Sequence, residues 1–274
     1  MVAGGYDVTR ATKLNLVFEM TKNKDSNKES LAEIAVDPDV LAKELALELE
    51  IDPLEQIDED AFSKGLNITQ ECNEALKMLQ GDREERIQGL RIFCEYRDQR
   101  SFPLLLPLLE QPCPVERMSA VYALGRNPCP SAVKKLVSLL ETDDNAYVRR
   151  ATAWSLANYD DQIVLKPLIT ALKNDVAAVR LWSSSSLAEI GNVCLENAQL
   201  AAEQLLISLK IDNESGVRSN CIWALCRLYE KLNNTFQESF VDECTKIALF
   251  DKEPSVMEEA KTALDSMGMQ GFYN

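Results

Sequence analysis

Histidine is missing from all 274 residues. That removes Ser-His-Asp and Cys-His hydrolase chemistry and any histidine-ligated zinc or haem site, because each needs an imidazole. Carboxylate, Lys, Tyr, Ser and thiolate chemistry stay open. Basic residues are also scarce: 29 Lys and Arg stand against 44 Asp and Glu, a formal charge of −15. Nucleic-acid backbones and anionic membrane surfaces both draw on surplus Lys and Arg, so neither is expected as the main partner. Basic protein surfaces remain. Glycine is sparse at ten residues against 46% apolar residues, so most of the chain can bury a core. No apolar run reaches the ~20 residues of a membrane-spanning helix. Met1 to Arg10 lacks the apolar centre of a secretory signal, so the expectation is a cytoplasmic chain with reduced thiols.

Chemical motifs are as thin. The eight cysteines form no C-x-x-C pair, and the closest, Cys221 and Cys226, have four residues between them. Iron–sulfur and zinc sites use tighter pairs. There is no Gly-rich phosphate loop, nucleophile elbow or distinctive carboxylate pair. Asp58-Glu59-Asp60 lacks the alternate spacing and glycine of a calcium loop. Asp160-Asp161 is an ordinary acidic turn. The sequence therefore names no catalytic residue, no metal site and no cofactor.

What the chain does have is periodicity. Residues 1–28 are polar and irregular, and Glu29 to Asp60 holds twelve acidic residues and one Lys. Within that run Val40, Leu41, Leu45, Leu47 and Leu49 form a helical apolar stripe after Asp37-Pro38-Asp39, a plausible helix start. A second helix is expected from Thr69 to Gly81. From residue 82 a repeat takes over. Leu124, Leu156, Leu187 and Leu225 each follow an arginine by seven residues: Arg117, Arg149, Arg180 and Arg218. Arg86 and Phe93 hold the same places one repeat earlier, and Met257 and Leu264 one repeat later. Successive arginines are 31, 32, 31 and 38 residues apart, counting from Arg86. Val148, Val179 and Val217 precede their arginines, with Glu116 as the exception.

After each such segment comes a second apolar run: Leu104–Leu109, Val133–Leu140, Leu165–Leu172, Leu200–Leu209 and Phe240–Leu249. Their leucines recur at helical spacing, and turn residues separate the two runs. Two helices per ~31–39 residues describe an α-solenoid of about five to six helical hairpins, all-α. Three domains follow: an acidic helical extension over 1–81, the repeats over 82–268 and a tail over 269–274. The extension is read as a polar cap on the first repeat or as a docking arm for a basic partner.

The segments Tyr147–Leu156, Ala178–Gly191 and Val121–Gly125 resemble the first helix of a HEAT repeat of the phycobilisome-lyase type. The resemblance spans about residues 82–268 and is specific for fold. Within that superfamily the chain is similar to cyanobacterial HEAT proteins, one of which binds an A-type iron–sulfur carrier, and more distantly to E/F-type bilin lyases. The resemblance implies a protein-interaction scaffold or assembly factor for a photosynthetic or cofactor-bearing complex, with peripheral thylakoid association open. Phycobiliprotein, iron–sulfur carrier and photosynthetic-complex partners fit it. The alternative is a bilin lyase subunit or bilin-attachment chaperone. The acidic extension departs from the lyase pattern.

Candidate residues divide into two sets. Arg117, Arg149, Arg180 and Arg218 read as a structural ladder, bridging to loop carbonyls or to acids such as Asp143, Asp175 and Asp212, because buried arginines need partners. Tyr122, Trp154 and Trp223 share one repeat position, which suits packing between repeats or a partner surface. Trp182 stands where Ser119, Ala151 and Asn220 align, and a lone Trp there is expected to be exposed and to bind a partner, with Arg150 second. Cys221 and Cys226 align with small residues and read as core. Cys113 and Cys129, in Pro-rich turns, are expected to be the more exposed thiols.

Overall fold

A computed structural model of the chain describes residues 65–269, with side chains from residue 68. The acidic segment 29–60, its apolar stripe and residues 270–274 lie outside the described residues. Twelve α-helices and short 3-10 turns, with no strand, make up the described residues. The fold class is all-α, an α-solenoid of helical hairpins. The described residues divide into two compact units, the first ending at Leu136 and the second beginning at Val137.

The first unit carries α1 (Gly65–Met78), α2 (Arg83–Glu95), α3 (Phe102–Leu105) and α4 (Pro114–Arg126); α5 (Val133–Thr142) follows. Helix α1 starts earlier than Thr69 and stops before Gly81. Asp82 opens α2 there with a capping box: Asp82 Oδ1 accepts from Glu85 N at 3.0 Å, and Asp82 N donates back to Glu85 Oε2 at 2.9 Å. α1 packs closely on α2, since a Cβ on Gly89 would meet the Ala75 carbonyl at 2.9 Å. The run Leu104–Leu109 is not one helix. α3 lasts four residues and a 3-10 turn covers Leu106–Glu110. Pro107 explains the break, because it has no N–H and its ring crowds the carbonyl four residues back. Phe93 and Leu124, the aligned repeat positions, are fully buried.

Asn127 ties this unit together. Its buried Nδ2 donates to the carbonyls of Phe93, Tyr96 and Ala123 at 2.8, 3.1 and 3.0 Å. Its Oδ1 accepts from Asp98 N at 2.8 Å. The ends of α2 and α4 are thereby fixed to one side chain.

The second unit contains α6 (Ala146–Leu156), α7 (Leu165–Asn174), α8 (Ala177–Gly191), α9 (Leu195–Ile211), α10 (Ser215–Leu228), α11 (Asn234–Phe250) and α12 (Pro254–Ser266). It has two layers. First helices α6, α8, α10 and α12 each pack on the next, and second helices α7, α9 and α11 do the same. The repeat residues fill the space between: Leu156, Leu187, Leu225 and Leu264, with Val148, Val179 and Val217, are all fully buried. Each such side chain stabilises the fold by about 1.5–3 kcal/mol relative to exposure.

Helix α8 is enclosed by α6, α7, α9 and α10. Its serine run forms a polar seam between first helices. Ser186 Oγ donates to the Ala153 carbonyl of α6 at 2.6 Å. Asn220 Nδ2 of α10 donates to the Leu181 carbonyl, Ser184 Oγ and Ser185 Oγ at 3.0, 2.7 and 2.7 Å. Gly191 lets α8 meet α10, since a Cβ there would lie 2.8 Å from Leu228 Cδ2. At the end of α12 the chain turns through Gly268 at φ 75°, the left-handed conformation in which glycine is favoured.

Candidate interaction surface

The second unit is held at one edge by three arginines and three aspartates. Asp175, Asp212 and Asp251 are the C-cap residues of α7, α9 and α11. Arg149 on α6 grips the Asp175 carboxylate through Nε at 2.8 Å and Nη2 at 2.7 Å. Arg180 on α8 grips Asp212 at 2.7 Å through both nitrogens. Arg218 on α10 grips Asp251 at 3.0 and 2.7 Å. The remaining Nη1 of each reaches back: Arg180 to the Asp175 carbonyl at 2.8 Å, Arg218 to the Asp212 carbonyl at 2.9 Å. Each aspartate thus closes its own hairpin with its side chain, and Asp175 and Asp212 also join the next hairpin with their backbone carbonyls.

The acid five or six residues before each arginine therefore supplies a carbonyl, and the carboxylate comes from the loop one helix pair later. A local turn causes this. Asp212 Oδ1 also accepts from Glu214 N at 3.0 Å and Asp251 Oδ1 from Glu253 N at 2.9 Å, which aims each carboxylate back along its own hairpin. Arg149 and Arg180 are held above the usual arginine pKa, chiefly by the hydrogen bonds to Asp175 and Asp212. Burial pushes Asp251 up, but hydrogen bonds from Arg218 and Glu253 N and the nearby charges of Arg218 and Lys252 outweigh it, so its carboxyl lies below the ordinary range.

The first unit shows a variant of the same device. Arg117 Nη1 donates to the Gln111 and Pro112 carbonyls, both at 2.9 Å. That loop has no aspartate. The carboxylate is supplied by the buried Glu116, which takes Arg86 Nε at 2.8 Å, while Arg86 Nη1 donates to the Gly81 carbonyl at 3.0 Å. This accounts for Glu116 standing where the other repeats have valine.

Exposure separates the aromatic candidates. Trp182 is 4% exposed and not on the surface, contrary to expectation, because α8 is covered on all sides by its four neighbours. Arg150 is 2% exposed and lies over the Tyr147 ring at 5.6 Å, and Tyr122 is likewise buried. Trp154 and Trp223 are half-buried. Trp223 is covered by the Arg227 guanidinium at 5.2 Å, and Arg227 pairs with Glu189 at 2.9 Å.

The cysteines also depart from expectation at three positions: two turn thiols are buried, and Cys226, read as core, is half-buried. Cys113 and Cys129 are buried, since the first caps α4 against Arg83 Nη2 at 3.1 Å and the second contacts Ser131 Oγ at 2.9 Å. Cys194 and Cys226 are the intermediate ones. Burial pushes the Cys221 thiol up, and burial followed by the Glu259 charge raises Cys226 to about 12. Both shifts oppose the thiolate that a metal or bilin linkage would need. Among the described residues no group of three or more Cys, Asp or Glu is arranged to hold a metal ion. No described helix is long and apolar enough to cross a membrane.

The residues missed by sequence reasoning are apolar ones. Ile163, Val193, Leu195, Leu200, Ile207, Ile211, Leu249 and Phe250 are the large hydrophobics left exposed among the described residues. All lie in the second unit, on second helices or the turns leading into them. Ile211 and Phe250 are the most exposed, at 72% and 81%. Each stands immediately before a ladder aspartate, so the single Arg218 guanidinium that binds Asp212 and Asp251 brings them to the same edge. The signal was present in the sequence. Leu200, Ile207 and Ile211 fall off the Ala198-Ala201-Ala202-Leu205-Leu209 stripe that builds the core.

A crystal structure of computationally designed armadillo repeat proteins for modular peptide recognition is similar at 19% identity and TM-score 0.46, covering 70% of this chain and 98% of that one. A crystal structure of an engineered protein is similar at 20% identity and TM-score 0.47, covering 85% and 99%. No curated protein matches the chain. The family model of HEAT repeats matches residues 73–157 and 133–226, more than half the chain, and the chain therefore belongs to the HEAT-repeat family.

Proposed function

We propose that this chain is a non-catalytic scaffold that binds other proteins. The observation that carries the reading is the placement of exposed apolar side chains. A folded chain rarely leaves several large hydrophobics on neighbouring helices in water without a partner to cover them. Here they gather on the second helices, while the ladder fixes the helix ends that bear them. Of the residues picked from sequence, Trp154 and Trp223 are the two whose half-exposure suits partner contact; Trp182, Arg150 and Tyr122 act as packing. The ladder of Arg149, Arg180 and Arg218 is the support that keeps the surface in register.

The finer reading is an assembly factor for a photosynthetic or cofactor-bearing complex in a cyanobacterium, with peripheral thylakoid association through its partner. Its support is the resemblance of Tyr147–Leu156 and Ala178–Gly191 to phycobilisome-type HEAT repeats. The test is affinity capture of the full chain from cells that express it, with mass spectrometry, alongside co-expression with a phycobiliprotein and free bilin. The scaffold reading expects a stoichiometric protein partner and no gain in covalent bilin. Bilin attachment that depends on this chain contradicts it.

A further inference from the structure

The paired faces of α9 and α11 carry most of the exposed large hydrophobics among the described residues, together with exposed carboxylates. On α9, Leu200, Ile207 and Ile211 lie along one side at helical spacing, with Glu196 and Glu203 in the same row. On α11, Glu238 and Asp242 line up with Leu249, and Phe250 stands beside it. The two helices pack against each other, and Arg218 holds their C-terminal ends at one rung. The result is a strip, acidic towards the N-terminal halves and apolar towards the C-terminal ends, where Lys210 and Lys246 border it. Glu196, Glu203, Glu238 and Asp242 are all exposed. The exposed lysines on the same helices are Lys210 and Lys246, and Lys246 already lies 3.5 Å from Glu243. The strip is therefore negative overall.

We propose that this strip is the docking site for a basic amphipathic helix of a partner protein. The inference rests on the scaffold reading and names the partner's chemistry. From Glu196 to Ile211 the strip runs about 22 Å at 1.5 Å per residue, enough for a partner helix of about 15 residues. Apolar anchors at i, i+3, i+4 and i+7 on such a helix cover Leu200, Ile207, Ile211, Leu249 and Phe250. Lys or Arg on its flanks meet the four carboxylates. Charge complementarity of this kind sets orientation and speeds encounter. A second copy of the chain is a poorer occupant, because each copy brings the same negative strip and a formal charge of −15.

The test uses the full chain and a fluorescein-labelled, 15-residue helical peptide of Leu and Lys with one apolar stripe, followed by fluorescence anisotropy. A peptide with Glu replacing Lys is the control. The Leu/Lys peptide binds, and binding weakens as salt rises; the Leu/Glu peptide binds at least about tenfold more weakly. Ile211→Ser with Phe250→Ser weakens binding at least about tenfold while the thermal melt is unchanged, since both side chains are exposed in the free protein. Glu203→Gln with Glu238→Gln and Asp242→Asn, which leaves the apolar residues intact, also weakens it and flattens the salt dependence. Equal affinity of wild type and both variants overturns the inference, as does equal binding of the two peptides. Sedimentation that shows wild-type dimers and monomeric Ile211→Ser/Phe250→Ser overturns it in favour of a second copy. A cellular partner captured equally by wild type and the serine variant removes the strip from the scaffold reading without removing the reading.

Discussion

Replacing Arg218 by Ala tests the ladder where it is most enclosed. The Arg218 side chain is 6% exposed and the Asp251 side chain 9%. The substitution deletes hydrogen bonds to both Asp251 oxygens and to the Asp212 and Asn213 carbonyls. Asp251 keeps the Glu253 N–H but loses its counter-charge. Breaking a buried pair from one side costs about 3–5 kcal/mol, and the residual solvent access places this rung near the lower figure, about 3 kcal/mol. The pH dependence has a defined sign. In the wild type Asp251 titrates below its unfolded value, so its stabilisation is present above about pH 4 and is lost as pH falls through the lower folded value. Without Arg218 the burial of the charged carboxylate is opposed only by the Glu253 N–H and the Lys252 charge, so the deficit is largest at pH 7 and narrows towards pH 3. Urea unfolding at the two pH values reads this, with circular dichroism for the whole chain and Trp fluorescence for the second unit, which carries Trp154, Trp182 and Trp223. Asp251→Asn and the double variant complete a cycle with a coupling above about 1 kcal/mol. Lys261→Ala, which removes a surface pair with Glu258 whose side chains are 31% and 71% exposed, is the control at under about 0.5 kcal/mol. A loss below about 1 kcal/mol for Arg218→Ala, or a deficit independent of pH, refutes the ladder as a source of stability.

Three further outcomes follow from buried groups. Asn127→Ala lowers the stability of the first unit by about 2–3 kcal/mol in urea unfolding, because three carbonyls and the Asp98 N–H lose one shared partner. Glu259→Gln raises stability at pH 7 and has no effect below about pH 4, since burial raises the Glu259 carboxyl and penalises its charged form only once the unfolded group is ionised. Native thiol titration labels Cys194 first; Cys226 reacts slowly at pH 8 because its thiol is held near 12, and the buried six react only on unfolding.

The repeat was legible because it is written in short-range spacing. An arginine, then a leucine seven residues on, marks the first helix of each hairpin, and those leucines are the core. The rest depends on neighbours that no single repeat reveals. Trp182 is buried because α7 and α9 close over a helix that α6 and α10 already flank. The ladder carboxylates point to the hairpin behind them because Asx-type turns at Asp212 and Asp251 orient them, a detail of a few torsion angles. Cys113 and Cys129 sit in proline-rich turns that nonetheless pack inward. The apolar strip of Leu200, Ile207 and Ile211 was readable in principle, as a second stripe off the core face of α9, but its leucines and isoleucines blend with the helical period of the core.

The most direct measurement of the central claim is cross-linking mass spectrometry on the full chain with a partner captured from the cells that express it, using a lysine-reactive reagent. If the second helices form the binding face, partner cross-links concentrate on Lys210, Lys246 and Lys252, which border Ile211 and Phe250. Cross-links confined to other lysines, or no protein partner to cross-link, would contradict it.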